Sequence, residues 1–329
     1  MDVLIGAFEE EVLDDLWDDG DPEVEVVILH VLRLEDMLGR YGQREESSFS
    51  NVRFDLDRFI NEECWKLFRF TKEQIIRLRR ALGIPDVVHA QNRSKMSRLE
   101  ALCIFLRRFA YPNRLSDLCP IFGRNVPELS LFFNLILNHI FDRFRHLLDY
   151  DVTRLTLTSN ELQVFSDAIH AKGAPLQRCW GFIDGTVRPI CRPSHNQRHV
   201  FNGHKRIHAL KFQSVTTPDG IIVHLSGPWM GRQHDCRMLR ESRLDFNKVM
   251  SSVWETVEWG FAKVISLWAF LDYQKNLKIY LQPVGKFYLV AGILTNCHTC
   301  LNGSQTSDYF SLLPPTLEGY LGVIVIEPD

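Results

Sequence analysis

Acidic side chains within residues 179–263 have the types and the surroundings needed for metal-dependent chemistry on a phosphodiester. Asp184 follows the apolar run 180–183 and precedes a glycine. Glu258 lies among apolar residues of a segment with helical periodicity, where an unpaired charge is costly. Carboxylate oxygens bind hard divalent cations, so a strand and a helix that each present one carboxylate are typical of such a site.

Each of these carboxylates also has a simpler explanation. An Asp-Gly pair after an apolar run, such as Asp184-Gly185, is typical of a turn. Glu258 could lie at the rim of its helix or form a salt bridge with Lys263. The residues alone leave both alternatives open.

A block of positive charge separates the two acids. Residues 188–211 contain six Lys/Arg residues, four histidines and no acid. A block of one sign beside a carboxylate site favours contacts with a phosphate backbone. The alternative is a solvated loop whose charge is balanced elsewhere in the chain. The candidate phosphate-binding residues are Arg188, Arg192, Arg198, Lys205, Arg206 and Lys211.

The charge of the whole chain is distributed unevenly. The 329 residues carry a formal net charge of −3, but residues 1–50 hold fifteen acids against three bases. That acidic leader therefore carries −12 and the remainder +9, which suggests a polyanion as the partner of the basic body. The leader itself is either a short amphipathic helix with a tail or a disordered, solvated arm.

Composition excludes several classes of protein. The N-terminus has no basic segment before an apolar run, and no apolar segment reaches the roughly 18–20 residues of a membrane span. We therefore expect an intracellular soluble protein without a membrane partner. The eight cysteines are scattered, which is typical of reduced thiols. Cys297 and Cys300 lack the second pair of ligands of a structural zinc site, so buried small residues near a helix end are expected.

Helical periodicity predominates from residue 54 to about residue 148. Thr71 and Ser97 precede amphipathic segments as N-caps. A short helix over 114–122, a glycine turn and a longer helix over 127–140 then form a helix-turn-helix candidate. The same spacing occurs in plain helical bundles, and that alternative stays open. The side chains that the second helix offers for reading bases are Glu128, Ser130, Asn134 and Asn138.

Strands are predicted in the middle of the chain. Residues 181–190, 207–217 and 221–226 have strand-like composition, and Asp219-Gly220 forms a hairpin turn between the last two. Helices are predicted over 233–244, 249–268 and, buried, 287–297, before a closing loop.

Several separated motifs follow one another in a fixed order. They are Phe182-Ile183-Asp184-Gly185-Thr186, Phe201-Asn202-Gly203-His204-Lys205-Arg206-Ile207-His208, Gly231-Arg232-Gln233-His234-Asp235 and Val257-Glu258-Trp259-Gly260-Phe261. In this order they resemble the Harbinger-type, transposase-derived DDE endonucleases, over roughly residues 50–320. The resemblance implies a ribonuclease-H-like core that cuts DNA with two divalent ions, Mg²⁺ or Mn²⁺. It implies a nuclear location and leaves room for a separate DNA-binding partner protein. Asp184 would be the first catalytic carboxylate and Glu258 the last, with Asp235 as a further metal ligand.

One part of the family pattern is missing. The family has a strand with Gly-Asp, which carries the middle catalytic aspartate, after the His-Asp motif. Here Leu244 runs directly into Asp245-Phe246, and no Gly-Asp lies between Asp235 and Glu258. Asp245 is a poor substitute because it precedes a predicted helix and lacks a strand to aim it. Trp254 and Ala262 also replace the family's usual Arg and Gly.

The expected fold class is therefore α/β: a ribonuclease-H-like core that lacks one strand, preceded by an α-helical domain with the helix-turn-helix candidate. The expected function is divalent-metal-dependent DNA cleavage, impaired by the missing aspartate. Alternatives are a domesticated, non-catalytic DNA-binding or scaffold protein, and a relic or gene-prediction artefact. The expected segments are the acidic leader 1–50, the helical region 51–150, a linker or helix 151–178, the core 179–300 and a C-terminal tail 301–329.

Overall fold

The computed structural model describes residues 53–90, 93–149, 158–174, 179–233, 238 and 254–323, with the backbone alone for 254–258. The predictions for the acidic leader, for Asp235 and for the Leu244-Asp245 junction fall outside these residues, as does nearly all of the predicted helix 233–244. None of the helices within the described residues combines the length and hydropathy of a membrane span.

The first half of the described chain is helical. The predicted helices near Thr71 and Ser97 are confirmed, and each of these residues caps its helix by accepting a hydrogen bond from the backbone three residues on. A two-stranded hairpin, β1 and β2, was not expected. The elements are α1 Asn61–Phe68, α2 Lys72–Ala81, β1 Val87–His89, β2 Lys95–Ser97, α3 Arg98–Ala110, α4 Cys119–Phe122, α5 Val126–Phe144 and α6 Ser159–Ala171, with single 3₁₀ turns at Leu56–Arg58, Leu115–Leu118 and Arg145–Leu148.

The second half contains a four-stranded antiparallel sheet and further helices. The predicted strands are confirmed, and the last is longer than expected. The predicted closing loop is wrong in part, because two short helices form there. The elements are β3 Phe182–Pro189, α7 Gln197–Val200, β4 Phe201–Asn202, β5 Ile207–Thr216, β6 Ile222–Met230, α8 Trp254–Leu267, α9 Val284–Asn302, α10 Gln305–Phe310 and α11 Leu317–Leu321, with 3₁₀ turns at Ala269–Asp272 and Gln274–Asn276.

The helix-turn-helix candidate has the predicted elements, but its second helix is largely covered. Gly123 ends α4 in the left-handed conformation, and Asn125 caps α5. No residue of α5 from Leu129 to Phe141 is exposed, because the helix packs between α3 and α9. Asn138, a candidate base-reading residue, accepts a hydrogen bond from Lys286 at 2.8 Å. This burial favours the packing alternative, and base reading by α5 stays a prediction.

Strand β5 is the centre of the sheet. It pairs antiparallel with β3 on one side and with β6 on the other, and its first two residues pair with β4. Gly220 provides the positive φ of 85° that the predicted hairpin turn between β5 and β6 requires. On one face of the sheet lie α8 and α9, and Phe165 of α6 packs on the other face against Val215.

Helix α9 lies within the hydrophobic core. It is buried from Val284 to Thr299, which confirms the predicted buried helix. One hydrophobic cluster runs from Leu56 in the helical region to Leu321 in α11, passing through α9 and β5. The hydrophobic core therefore crosses the predicted boundary near residue 150, and the proposed domain limits stay a prediction.

Candidate functional site

Asp184 belongs to a polar row on the inner face of β3. Residues directly opposite each other in antiparallel strands share a face, so Asp184 shares its face with Ser214 and Arg188 shares its face with Leu210. Asp184 and Arg188 are four residues apart along the strand and therefore lie on the same face. This is the face that α8 and α9 cover.

Asp184 is held within the strand and not in a turn. Both Asp184 and Gly185 pair with β5, so the turn alternative is wrong. Asp184 is the third residue of the eight-residue strand β3 and therefore does not lie at its tip. Its Oδ1 accepts a hydrogen bond from the backbone N–H of Gly185 at 2.7 Å, and the side chain is half-buried. A backbone N–H that donates to a carboxylate stabilises its charged form.

Arg188 and Tyr288 form the rest of the polar cluster around Asp184. Arg188 Nε donates to the Tyr288 hydroxyl at 3.2 Å, and the Tyr288 ring stacks on Phe212 at 4.1 Å. Burial raises the pKa of Tyr288 to about 12, which Arg188 opposes and the charge of Asp184 adds to. Tyr288 is thus a neutral hydroxyl near Asp184. It was missed because it lies inside an apolar run that predicts only a buried helix.

Helix α8, which includes Glu258, packs over the strand that carries Asp184. The Arg188 guanidinium lies 5.9 Å from the Phe261 ring centroid. A Cβ at Gly260 would lie 3.1 Å from Thr216 Oγ1, so a glycine there permits the close approach of helix to sheet. The side chain of Glu258 is not among the described parts of the chain.

Lys263, the proposed salt-bridge partner of Glu258, has other contacts. Its Nζ donates to Thr299 Oγ1 at 2.8 Å and to the Gly303 carbonyl at 2.7 Å. Burial lowers the pKa of Lys263 to about 8. Lys263 therefore ties α8 to the end of α9.

The six candidate phosphate-binding residues divide into two groups. Lys211 is 8% exposed and its Nζ donates to the Gln233 carbonyl at 2.6 Å, and Arg188 is engaged with Tyr288. The described contacts of Lys211 and Arg188 are therefore with other parts of the protein. The remaining four side chains are exposed, namely Arg192, Arg198, Lys205 and Arg206.

The four exposed bases lie on one segment, residues 190–206, which includes the short elements α7 and β4 and which we call the basic loop. Asn202 secures it, because its Nδ2 donates to the Gly231 carbonyl at 3.0 Å and its Oδ1 accepts from Lys205 N at 2.8 Å. The backbone N–H of Arg232 donates to the His199 carbonyl at 3.2 Å, which brings a further exposed base to the loop. Phe201, 40% exposed, lies in the same loop.

The described residues include only part of the proposed metal site. Of the three proposed ligands, only the Asp184 side chain belongs to the described part of the chain. Within that part, no group of three His, Cys, Asp or Glu residues is arranged to hold a metal ion. Cys297 is fully buried within α9, and burial raises the pKa of its thiol well above the usual value, as expected for a buried structural residue.

Comparison with known proteins supports a relationship to one superfamily. Residues 183–245 match the family model of the DDE superfamily endonucleases. The matched segment contains Asp184, the basic loop and Asp235. No curated protein and no solved structure matches the chain.

Proposed function

We propose that the chain is a DDE endonuclease homologue of the Harbinger type, derived from a transposase, that binds DNA but cuts it poorly. The observation that supports this most is that the helix with Glu258 packs on the strand with Asp184. Of these two residues, Asp184 lies within the segment 183–245 that is similar to the superfamily. When a helix packs on a strand, carboxylates from the two elements could share divalent ions. The proposed core is ribonuclease-H-like.

The proposed site has Asp184 and Glu258 as catalytic carboxylates and metal ligands, with Asp235 as a further ligand. The described residues alone do not make a complete metal site, so the ligand set remains part of the proposal. When bound, Mg²⁺ or Mn²⁺ would supply positive charge to stabilise the phosphoryl transition state. Arg188 keeps a positive charge on the same face as Asp184, beside the neutral hydroxyl of Tyr288.

Impaired cleavage follows from the absent Gly-Asp motif. Within the described residues, β3 pairs only with β5, so its outer edge has no strand partner there. In a ribonuclease-H-like sheet, the strand with the middle aspartate would pair with that edge. Its aspartate would be the third catalytic carboxylate, beside Asp184 and Glu258. A two-ion site without that ligand loses part of its charge stabilisation. The transcript sequence around Leu244 tests whether an exon for that strand was omitted.

DNA binding is assigned to the basic loop. We expect the triple variant Arg198→Ala, Lys205→Ala and Arg206→Ala to bind duplex DNA more weakly than the wild type. The slope of log K against log salt should fall by roughly 0.9 for each phosphate that the variant no longer neutralises. A matched triple of exposed bases elsewhere, Lys66→Ala, Arg80→Ala and Lys95→Ala, should bind as the wild type does.

Cleavage is tested on supercoiled plasmid with Mg²⁺ or Mn²⁺. We expect little or no nicking by the wild type, and a cation-dependent rise in melting temperature that Asp184→Asn removes. Efficient cleavage that Asp184→Ala abolishes would show that the site is intact and refute the proposed impairment. No salt-dependent DNA binding by the wild type would refute the function as a whole.

A further inference from the structure

A cationic cleft lies between the end of α3 and the 3₁₀ turn 274–276. Its lining residues differ from those of the Asp184 site. Its volume is about 330 Å³. The polar part of its lining consists of two guanidiniums, two carboxamides and a hydroxyl, and its other lining residues are apolar. No lining residue is acidic. The polar lining residues are Arg108, Arg114, Asn113, Asn276 and Ser116.

The chain holds these groups in place from several elements. Arg108 is in the last turn of α3, and its guanidinium lies 4.9 Å from the ring centroid of Phe133 and 5.1 Å from that of Phe270. Asn276 Nδ2 donates to the Pro112 carbonyl at 3.5 Å, which joins the 3₁₀ turn 274–276 to the end of α3. The side chains of Arg108 and Asn276 are therefore positioned before a ligand arrives, which lowers the entropic cost of binding.

Further positive charge lies around Tyr111, two positions before Asn113 of the cleft. The guanidiniums of Arg69 and Arg107 lie 4.7 Å and 4.3 Å from the centroid of the Tyr111 ring. Arg107 Nε and Nη1 are buried, and neither has a hydrogen-bond acceptor among the described residues. Burial lowers the pKa of Arg107, and the charge of Arg69 adds to that effect. A buried cationic group without an acceptor is costly, and a nearby anion would reduce that cost.

We propose that this cleft binds a backbone phosphate of DNA, as a contact separate from the basic loop. Two guanidiniums match the oxygens of a phosphate, and the Asn113 carboxamide adds a neutral donor. The Ser116 hydroxyl donates to Asp117 Oδ1 at 3.4 Å and therefore contributes less. None of these groups requires a base edge, so the contact fixes the position of the duplex without reading its sequence. The identification of the polyanion as DNA rests on the proposed function.

Arg114 provides the sharpest test because it is exposed and its loss leaves no cavity in the core. We expect Arg114→Ala to weaken duplex binding about three- to tenfold, measured by fluorescence anisotropy, and to lower the salt slope by about 1. Asn113→Asp, which adds a carboxylate to the cleft at nearly constant volume, should weaken binding in the same direction. The matched control is Arg80→Ala, an exposed arginine of α2 that does not line the cleft.

The two DNA contacts are separable in this experiment. If the basic-loop triple loses affinity while both cleft variants bind as the wild type does, the cleft proposal is wrong and the proposed function stands. If the cleft variants lose affinity and the triple does not, the cleft stands and the basic-loop assignment is wrong. Saturable binding of inorganic phosphate that Arg114→Ala removes, with DNA affinity unchanged, would identify a site for a free phosphate compound and refute the DNA contact.

Discussion

Two adjacent strands of the sheet have opposite environments. Strand β5 is paired on both edges and buried from Ala209 to its end, whereas β3 has one buried residue and is otherwise half-buried or exposed. Apolar contacts with α9 support β5, while β3 carries Asp184 and Arg188. Burial of apolar surface is the main source of stability, so stability should reside on the β5 side and chemistry on the β3 side.

We call the buried core around β5 and α9 the packed side. The largest expected effect on stability is at Trp268, which packs there against α9. Its side chain is fully buried, and Nε1 donates to Thr295 Oγ1 of α9 at 3.0 Å. We expect Trp268→Ala to lower the free energy of unfolding by about 3–5 kcal/mol, measured by urea denaturation. Trp65→Ala is the matched control, because Trp65 is 39% exposed and should cost much less. Equal losses would contradict the assignment of stability to the packed side.

The next effect concerns Asn296, which joins α9 to the first residue of β6. Its Oδ1 accepts from Ile222 N at 2.9 Å, and its Nδ2 donates to Ile222 O at 2.8 Å and to the Tyr320 hydroxyl at 2.9 Å. Asn296→Leu leaves these buried backbone groups unpaired, so we expect a loss of about 2–3 kcal/mol in the same measurement. Asp184→Asn, on β3, should change stability by less than about 0.5 kcal/mol. A larger cost at Asp184 than at Asn296 would reverse the comparison.

The sequence could predict the packed side well because its signals are local. Thr71 and Ser97 have cap chemistry, Asp219-Gly220 has turn chemistry, and the apolar spacing of α9 and β5 follows from burial. Asn296 lies in the predicted buried helix 287–297, but its role depends on Ile222, 74 positions away. Sequence spacing alone does not reveal such a pairing.

The β3 side was harder to predict because its contacts are long-range. The role of Asp184 as a site residue stays a prediction, and an Asp-Gly pair in a strand cannot be distinguished locally from a turn. Lys211 was grouped with the exposed bases by charge alone, although its position in β5 buries it. Tyr288 joined the site only through Arg188, 100 positions away. The cleft around Arg114 likewise depends on Asn276, a residue from another part of the chain.

A smaller stability effect than those at Trp268 and Asn296 concerns a buried histidine on the packed side. His298 contacts the rings of Trp65 and Phe70, and neither ring nitrogen has a hydrogen-bond partner among the described residues. Burial, with further contributions from Lys263 and Arg69, lowers its pKa to about 3. Since the histidine of the unfolded chain has a pKa near 6.5, the unfolded state binds more protons between these values, and stability falls as the pH drops through that window.

We expect acidification from pH 7 to pH 5 to remove on the order of 1–2 kcal/mol of stability through His298. His298→Met, which keeps an adaptable apolar side chain in the aromatic surroundings, should reduce the slope of unfolding free energy against pH over that range. Part of the slope should remain in this variant, because His224 is also buried and burial lowers its pKa to about 4. The exposed His204→Met serves as control and should keep the wild-type slope. An unchanged slope in His298→Met would show that His298 does not bind the proton on unfolding and would refute its predicted role.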